Sequence, residues 1–169
     1  HNRAPARHVA WQPSAPARAA RALLAGQPPA AASPTPLLLV ADAANRLTLW
    51  AARDRRVNIW EAVATAEVPA AIAAIGWIRI GEAAVAVLVS GHLLAWSMGP
   101  AESPAGEPVR VTMLPCTSVN ENSALGGTVK CASIAPGGVD LHSVAVLGAL
   151  AQQPQQIRVW HVSVGRQVE

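Results

Sequence analysis

Short apolar runs separated by small polar turns dominate this chain and predict β-strands. The clearest example is residues 37–50, LLLVADAANRLTLW, in which an apolar run meets a polar turn and an alternating segment then ends at Trp50. Asp42 and Asn45 fit a tight turn, because their side chains bond to nearby backbone and tolerate turn geometry. The pattern predicts a β-hairpin.

Similar phrases return twice along the chain. They are AVAVLVSGHLLAWSM at residues 84–98 and SVAVLGALAQQPQQIRVWHV at residues 143–162, the last with a longer predicted tip. Each hairpin follows an opening strand, and an outer strand follows the first two: VNIWE and AVATAEV are two candidate pieces in the first unit, and PVRVTML is the candidate in the second. We therefore predict an all-β fold, specifically a WD40-like β-propeller with about three blades.

The predicted units place the whole chain, 1–169, in one propeller. The approximate blades are 7–68, 71–114 and 129–169, and 14–36 is a Pro/Ala-rich loop insertion in which a short helix near residues 17–25 is compatible with the composition. A small β-sandwich also uses short strands and turns, and a helical interpretation of the Ala-rich regions is a third alternative. Because propellers close with about 4–8 blades, we expect a partial propeller of a larger protein or a chain from which segments are absent, in preference to a partner that caps the edges.

The tryptophans are interpreted as wedges between blades. Phe and Tyr do not occur, so the six Trp residues are the aromatic side chains of the core. Unbroken apolar strands such as LLLVA and AVAVLV predict coverage on both faces by neighbouring blades. The structural blade tryptophans are Trp11, Trp50, Trp77, Trp96 and Trp160, and we expect Trp11 to be buried between blades.

Composition limits the function classes. The chain is 51% hydrophobic and 14% charged, but alanine dominates, which predicts a thin core. The formal net charge of +3 is small and scattered, so we expect no direct nucleic-acid binding. Prolines and polar residues interrupt the longest uncharged stretches, so no membrane span is predicted. The two cysteines, Cys116 and Cys131, are too few for a disulfide scaffold or a zinc cluster.

No constellation typical of catalysis is recognisable. The five histidines lack metal-ligand spacing, and no carboxylate pair stands out as an acid and a base. We expect His92 at a hairpin tip and His8 and His161 at the surface or in loops. The predictions are no catalytic residue, no cofactor and no metal. One charged cluster, Arg53, Arg55 and Arg56, is either an interaction loop or a solvated loop partly neutralised by Asp54.

The order of these phrases resembles the N-terminal propeller of the Mediator complex subunit 16 family. The matching phrases are HVAWQP, LLLVADAANRLTLW, RRVNIWEAV, IAAIGWI, VAVLVSGHLL, KCASIAPGGVDLHSVAVLG and IRVWHV, which cover most of the chain. Asn45 stands where that family tends to have glycine. Family members are much longer, with long inserts and a helical C-terminal region.

The resemblance implies a non-catalytic scaffold in the Mediator tail module, a coactivator of RNA polymerase II transcription in the nucleus. Its expected partners are other subunits of that complex. The alternative is a WD-repeat scaffold of a ciliary, trafficking or other cytoplasmic assembly, which the same residues fit equally well.

Overall fold

The computed structural model describes residues 4–12, 36–54, 59–78, 83–100, 111–115, 125–135 and 143–163. This part of the chain is all-β and contains no helix. Its strands form three antiparallel sheets that follow one another along the sequence, and none of the three closes on itself.

Each sheet is a meander in which consecutive strands are neighbours. The first sheet contains β1 (Ala6–Trp11), β2 (Leu37–Asp42), β3 (Arg46–Asp54) and β4 (Ile59–Glu67). The second contains β5 (Ile72–Ile78), β6 (Ala83–Leu88), β7 (Leu93–Pro100) and β8 (Val111–Pro115). The third contains β9 (Val129–Ala135), β10 (Ser143–Leu150) and β11 (Gln153–Ser163).

The three sheets stack face to face in one direction. We call the side of each sheet that carries Leu38, Ala84 or Val146 its front, and the opposite side its back, since successive side chains in a strand alternate between faces. The back of the first sheet packs on the front of the second, in a core that includes Leu39, Ala84 and Trp96. The back of the second sheet packs on the front of the third, through residues such as Val85 and Val146.

β2 and β6 are similar apolar runs in the sequence, but they differ in how many of their faces pack against another sheet. All six residues of β6 are buried, because the second sheet has a neighbour on each face. In β2, buried and half-buried residues alternate, because only its back face is covered. Two-sided coverage is therefore confirmed for AVAVL and wrong for LLLVA, whose front face meets no other sheet among the described residues.

The same cross-strand row recurs in the three sheets. Trp50 lies opposite Leu38, Trp96 opposite Ala84, and Trp160 opposite Val146. On the other side of each central residue, the first strands contribute Trp11, Trp77 and Ile134, respectively. We call these three-residue sets the front rows, since all of them lie on the front faces.

A backbone hydrogen bond also recurs in each sheet. The residue that follows the second strand donates its N–H to the carbonyl of the residue that precedes the first strand. The donor–acceptor pairs are Ala43–Pro5 (2.9 Å), Val89–Ala71 (2.7 Å) and Ala151–Thr128 (2.7 Å). The repeat predicted from the sequence phrases thus has a counterpart in backbone geometry.

Hairpin turns also connect one sheet to the start of the next. The carbonyl of Asn45 accepts the N–H of Val68 (3.0 Å), and the carbonyl of Gly91 accepts that of Leu125 (2.8 Å). Both acceptor residues adopt positive φ, 59° for Asn45 and 90° for Gly91. Asparagine and glycine are the residues that tolerate this conformation best, so each serves the same turn position.

Two strand predictions need correction. VNIWE and AVATAEV, which the sequence suggests as separate pieces, are joined in the single strand β4 over Ile59–Glu67, and residues 57–58 lie outside the described residues. The third hairpin has a two-residue tip, Ala151 and Gln152, rather than a long one. The extra residues lie in a bulge, because Gly148 pairs with Arg158 while Leu150 already pairs with Gln153. Pro154 is tolerated there because β11 is an edge strand.

Asp42 organises the first hairpin turn, as the sequence predicts. Its carboxylate accepts the N–H groups of Ala44 (2.8 Å) and Arg46 (3.0 Å) and pairs with the Arg46 guanidinium at 3.0 Å. Desolvation acts to raise the pKa of Asp42, but these hydrogen bonds and the nearby cation outweigh it and hold the pKa below its ordinary value.

We predict that Asp42→Asn destabilises the fold at neutral pH by about 0.5–1.5 kcal/mol, because the charged acceptor is lost. A folded-state pKa below that of the unfolded chain stabilises the fold above the unfolded value, and this stabilisation is lost as the pH falls through the folded value. Urea unfolding should therefore show the difference from wild type shrinking between about pH 5 and pH 2. Glu67→Gln, at an exposed carboxylate, is the control. A difference that stays constant down to pH 2 would contradict this role.

Candidate interaction surfaces

The front of the first sheet exposes an aromatic surface. Trp11 is 61% exposed, and its ring meets that of Trp60 edge to face, with centroids 5.3 Å apart. Val9 on the same strand is also exposed. The prediction that Trp11 is buried between blades is wrong, because no sheet covers this face in the described structure. Trp60 was not among the predicted structural tryptophans, although NIWE placed it at the start of a strand.

The other predicted tryptophans occupy different environments. Trp77 and Trp96 are 3% and 6% exposed and lie between the first and second sheets. Trp160 is half-buried against the core between the second and third sheets. Trp50 is half-buried in the front row of the first sheet, so it does not lie between two described sheets. Each of these rings lies on the front face of its sheet, and it is buried where another sheet packs on that face.

A cleft opens where the first strands of the three sheets converge. It has a volume of about 660 Å³ and is lined by β1, β5 and β9. Its polar lining side chains are Arg7, His8, Gln12 and Ser133, and no carboxylate is among the lining residues. Sequence reasoning missed these residues, because they are neighbours only after three strands far apart in sequence converge.

Two side chains fasten the first strands of neighbouring sheets beside this cleft. The indole N–H of Trp77 donates to the carbonyl of Ala10 at 3.0 Å. In the opposite direction, Nε2 of His8 donates to the carbonyl of Ile72 at 3.2 Å. His8 is therefore half-buried between two sheets, rather than at the surface as predicted. Both bonds satisfy carbonyls on edge strands, which are otherwise open to pairing.

Gly76 allows the first strands of the second and third sheets to approach closely. A Cβ atom placed on Gly76 would lie 2.8 Å from both Cβ and Cγ2 of Ile134. Such a contact requires one strand to move, so the glycine sets the separation of β5 and β9. This close approach forms the far wall of the cleft.

The predicted arginine cluster lies mostly outside the described residues, and the described histidines and cysteine are at separate places. Arg55 and Arg56 lie outside the described residues, and only the backbone of Arg53 is described, within β3. His92 is exposed at its hairpin tip, where Nδ1 lies 3.1 Å from Oγ of Ser90, and His161 is exposed on β11. Cys131 is an exposed free thiol, and Cys116 lies outside the described residues.

The described ranges contain no group of three or more histidine, cysteine, aspartate or glutamate side chains that could hold a metal ion. They also contain no helix of the length and apolarity needed to cross a membrane. Comparison of the chain with protein-family models and with curated proteins finds no match.

The Trp77–Ala10 bond can be separated from simple loss of ring volume. Trp77→Phe removes the indole donor and leaves the carbonyl of Ala10 without this partner, whereas Trp96→Phe shortens a similarly buried ring. We expect Trp77→Phe to lower the free energy of unfolding by about 0.5–1.5 kcal/mol more than Trp96→Phe in urea titrations. An equal decrease in the free energy of unfolding in the two variants would show that the indole N–H does not stabilise the contact between β1 and β5.

Proposed function

We propose that this chain is a non-catalytic scaffold built as a WD40-like propeller segment, with the cleft at its first strands as a binding surface for a partner protein. The observation that carries the proposal is a repetition in three sheets stacked in the same direction. Each sheet has a front row at the same position and the same backbone hydrogen bond between the end of its second strand and the start of its first. Radially repeated four-stranded meanders are the architecture of β-propellers.

The direction of stacking supports a propeller over a sandwich. In a two-sheet sandwich, two inner faces meet and both outer faces are solvated. Here the second sheet is buried on both faces, and each contact joins the back of one sheet to the front of the next. This arrangement is repetitive, because each further sheet would pack its front face on the back face of the sheet before it.

The cleft supports a role in protein binding. It collects one guanidinium, a histidine, an amide and a hydroxyl beside the rings of Trp11 and Trp77. Apolar walls with a few polar groups provide contact area together with orienting hydrogen bonds. The lining lacks a carboxylate to act as a partner for His8, so the groups present favour recognition over acid–base chemistry.

The order of the sequence phrases directs the proposal to one assembly. Since it resembles the Mediator complex subunit 16 family, we propose that the scaffold belongs to the Mediator tail module in the nucleus and acts in RNA polymerase II transcription. Its partners are then neighbouring tail subunits, and neither a cofactor nor direct nucleic-acid contact is needed.

Affinity purification of the tagged chain from its own cells, followed by mass spectrometry, tests this assignment. We expect other Mediator tail subunits to be recovered, and recovery to survive nuclease treatment. Recovery of axonemal or coat proteins alone would contradict the assignment and support the ciliary or trafficking alternative.

Charge reversal in the cleft tests the binding surface in the same experiment. Arg7→Glu changes an exposed cleft residue and should reduce recovery of the partner subunits at least about 10-fold, since buried interface anchors commonly contribute that much. Lys130→Glu is the matched control, because Lys130 is exposed on β9 and does not line the cleft. Equal recovery with both variants would exclude the cleft as the binding surface.

A further inference from the structure

The front row of the first sheet is equivalent to two rows that have neighbours. Trp11, Leu38 and Trp50 occupy the positions of Trp77, Ala84 and Trp96 in the second sheet. Trp77 is 3% exposed because the back of the first sheet covers it, whereas Trp11 is 61% exposed. Trp11 has the same position in its sheet as Trp77, but no sheet among the described residues lies over it.

At the other end of the stack, the back face of the third sheet is the one that no described sheet covers. Its back face carries Leu147 at the position of Leu39 and Val85, both of which are fully buried under the following sheet. Leu147 is 39% exposed, and Val159, which lies opposite it on β11, is 54% exposed. This back face therefore has the aliphatic character that front rows pack against, and no described residue covers it.

All the exposed large hydrophobic side chains of the described structure lie on the two end sheets. They are Val9, Trp11, Ile59, Leu147, Ile157 and Val159. Exposed apolar patches of this kind mark surfaces that bind other proteins. Val9 and Trp11 lie on a front face without a neighbouring back face, and Leu147 and Val159 lie on a back face without a neighbouring front face. Ile59 lies on the face of β4 opposite to Trp60 and belongs to neither patch.

From this pairing we infer that the chain binds a second copy of itself head to tail. The back of the third sheet, around Leu147 and Val159, packs on the front row of the first sheet of the other copy, around Trp11. The contact continues the two back-to-front interfaces that already join the three sheets.

Head-to-tail contacts either close into a ring or extend into a filament. The described strands of two copies contribute six sheets to a closed ring, which is within the range of about 4–8 blades found in propellers. The same back-to-front contact then occurs twice in the dimer. Closure also covers both end faces, and with them the exposed apolar side chains that favour association.

Sedimentation velocity of the full chain, over a range of concentrations, tests the inference. We expect a species of twice the 17.5 kDa chain mass. Trp11→Asp and Leu147→Asp should each raise the dimer dissociation constant at least about 10-fold, because each places a charge in both contacts. Ala71→Asp adds the same charge at an exposed residue that precedes β5 in the middle sheet, outside both end faces, and should leave the dimer intact. Far-UV circular dichroism confirms that each variant keeps its sheets.

Mixing the two variants identifies the geometry. The Trp11→Asp chain keeps a normal back face and the Leu147→Asp chain keeps a normal front row, so an equimolar mixture should form a 1:1 heterodimer through one intact contact. A front-to-front dimer would instead persist in Leu147→Asp alone, and a back-to-back dimer in Trp11→Asp alone. Either result, or a monomeric wild-type chain, would overturn the inference.

The inference deepens the proposed scaffold by naming what covers its two end faces, and it rests on the same stack of sheets. Its failure is distinguishable from failure of the proposed function. A chain that is monomeric but still recovers tail subunits through the cleft would contradict self-association and leave the scaffold role standing. A dimer that recovers none of those subunits would support self-association and contradict the proposed scaffold role.

Discussion

The packing of each sheet's back face on the front face of the next is the interaction on which the rest of the structure depends. It buries every residue of β6 and brings β1, β5 and β9 together at one cleft. It also decides which tryptophans are buried, since Trp77 and Trp96 lie under the first sheet while no described sheet covers the equivalent Trp11. A sheet in this arrangement gains most of its stabilisation from its neighbours, because each one contributes only a thin layer of small and aliphatic side chains.

The alanine content has a structural purpose in this arrangement. Ala84 and Ala86 on the front of β6 are buried in the same core as the rings of Trp77 and Trp96, so large and small side chains alternate in the contact. Interiors are packed to near crystal density, and a large ring needs small neighbours to reach that density. Gly76 has a related role, since its missing side chain admits Ile134. Tryptophan contributes most of the buried apolar surface, and alanine leaves room for the rings. This combination explains how a chain without Phe or Tyr forms a layered core.

Local patterns were enough to predict most of the strands, the first two hairpin turns and the repetition, but not the continuity of β4 or the short third tip. The turn at Asp42 and Asn45 and the hairpins ending at Trp50 and Trp96 follow from alternation and turn chemistry, which act over a few residues. Burial by neighbouring sheets could not be predicted in the same way. LLLVA and AVAVL are both unbroken aliphatic runs, yet the first has a described sheet on one face and the second has one on each face. The cleft was also invisible to this reasoning, since Arg7 and Ser133 meet through stacking and not through sequence spacing.

Mutational coupling between the second and third sheets is the most direct test of the stacking. Gly76→Ala places a methyl group against Cβ and Cγ2 of Ile134, and Ile134→Gly removes both of these atoms. If the two sheets pack as described, the double variant should be more stable than the sum of the single changes predicts, with a coupling energy of about 0.5–3 kcal/mol in urea unfolding. Single effects that add to within about 0.3–0.5 kcal/mol would contradict the packing of β5 against β9.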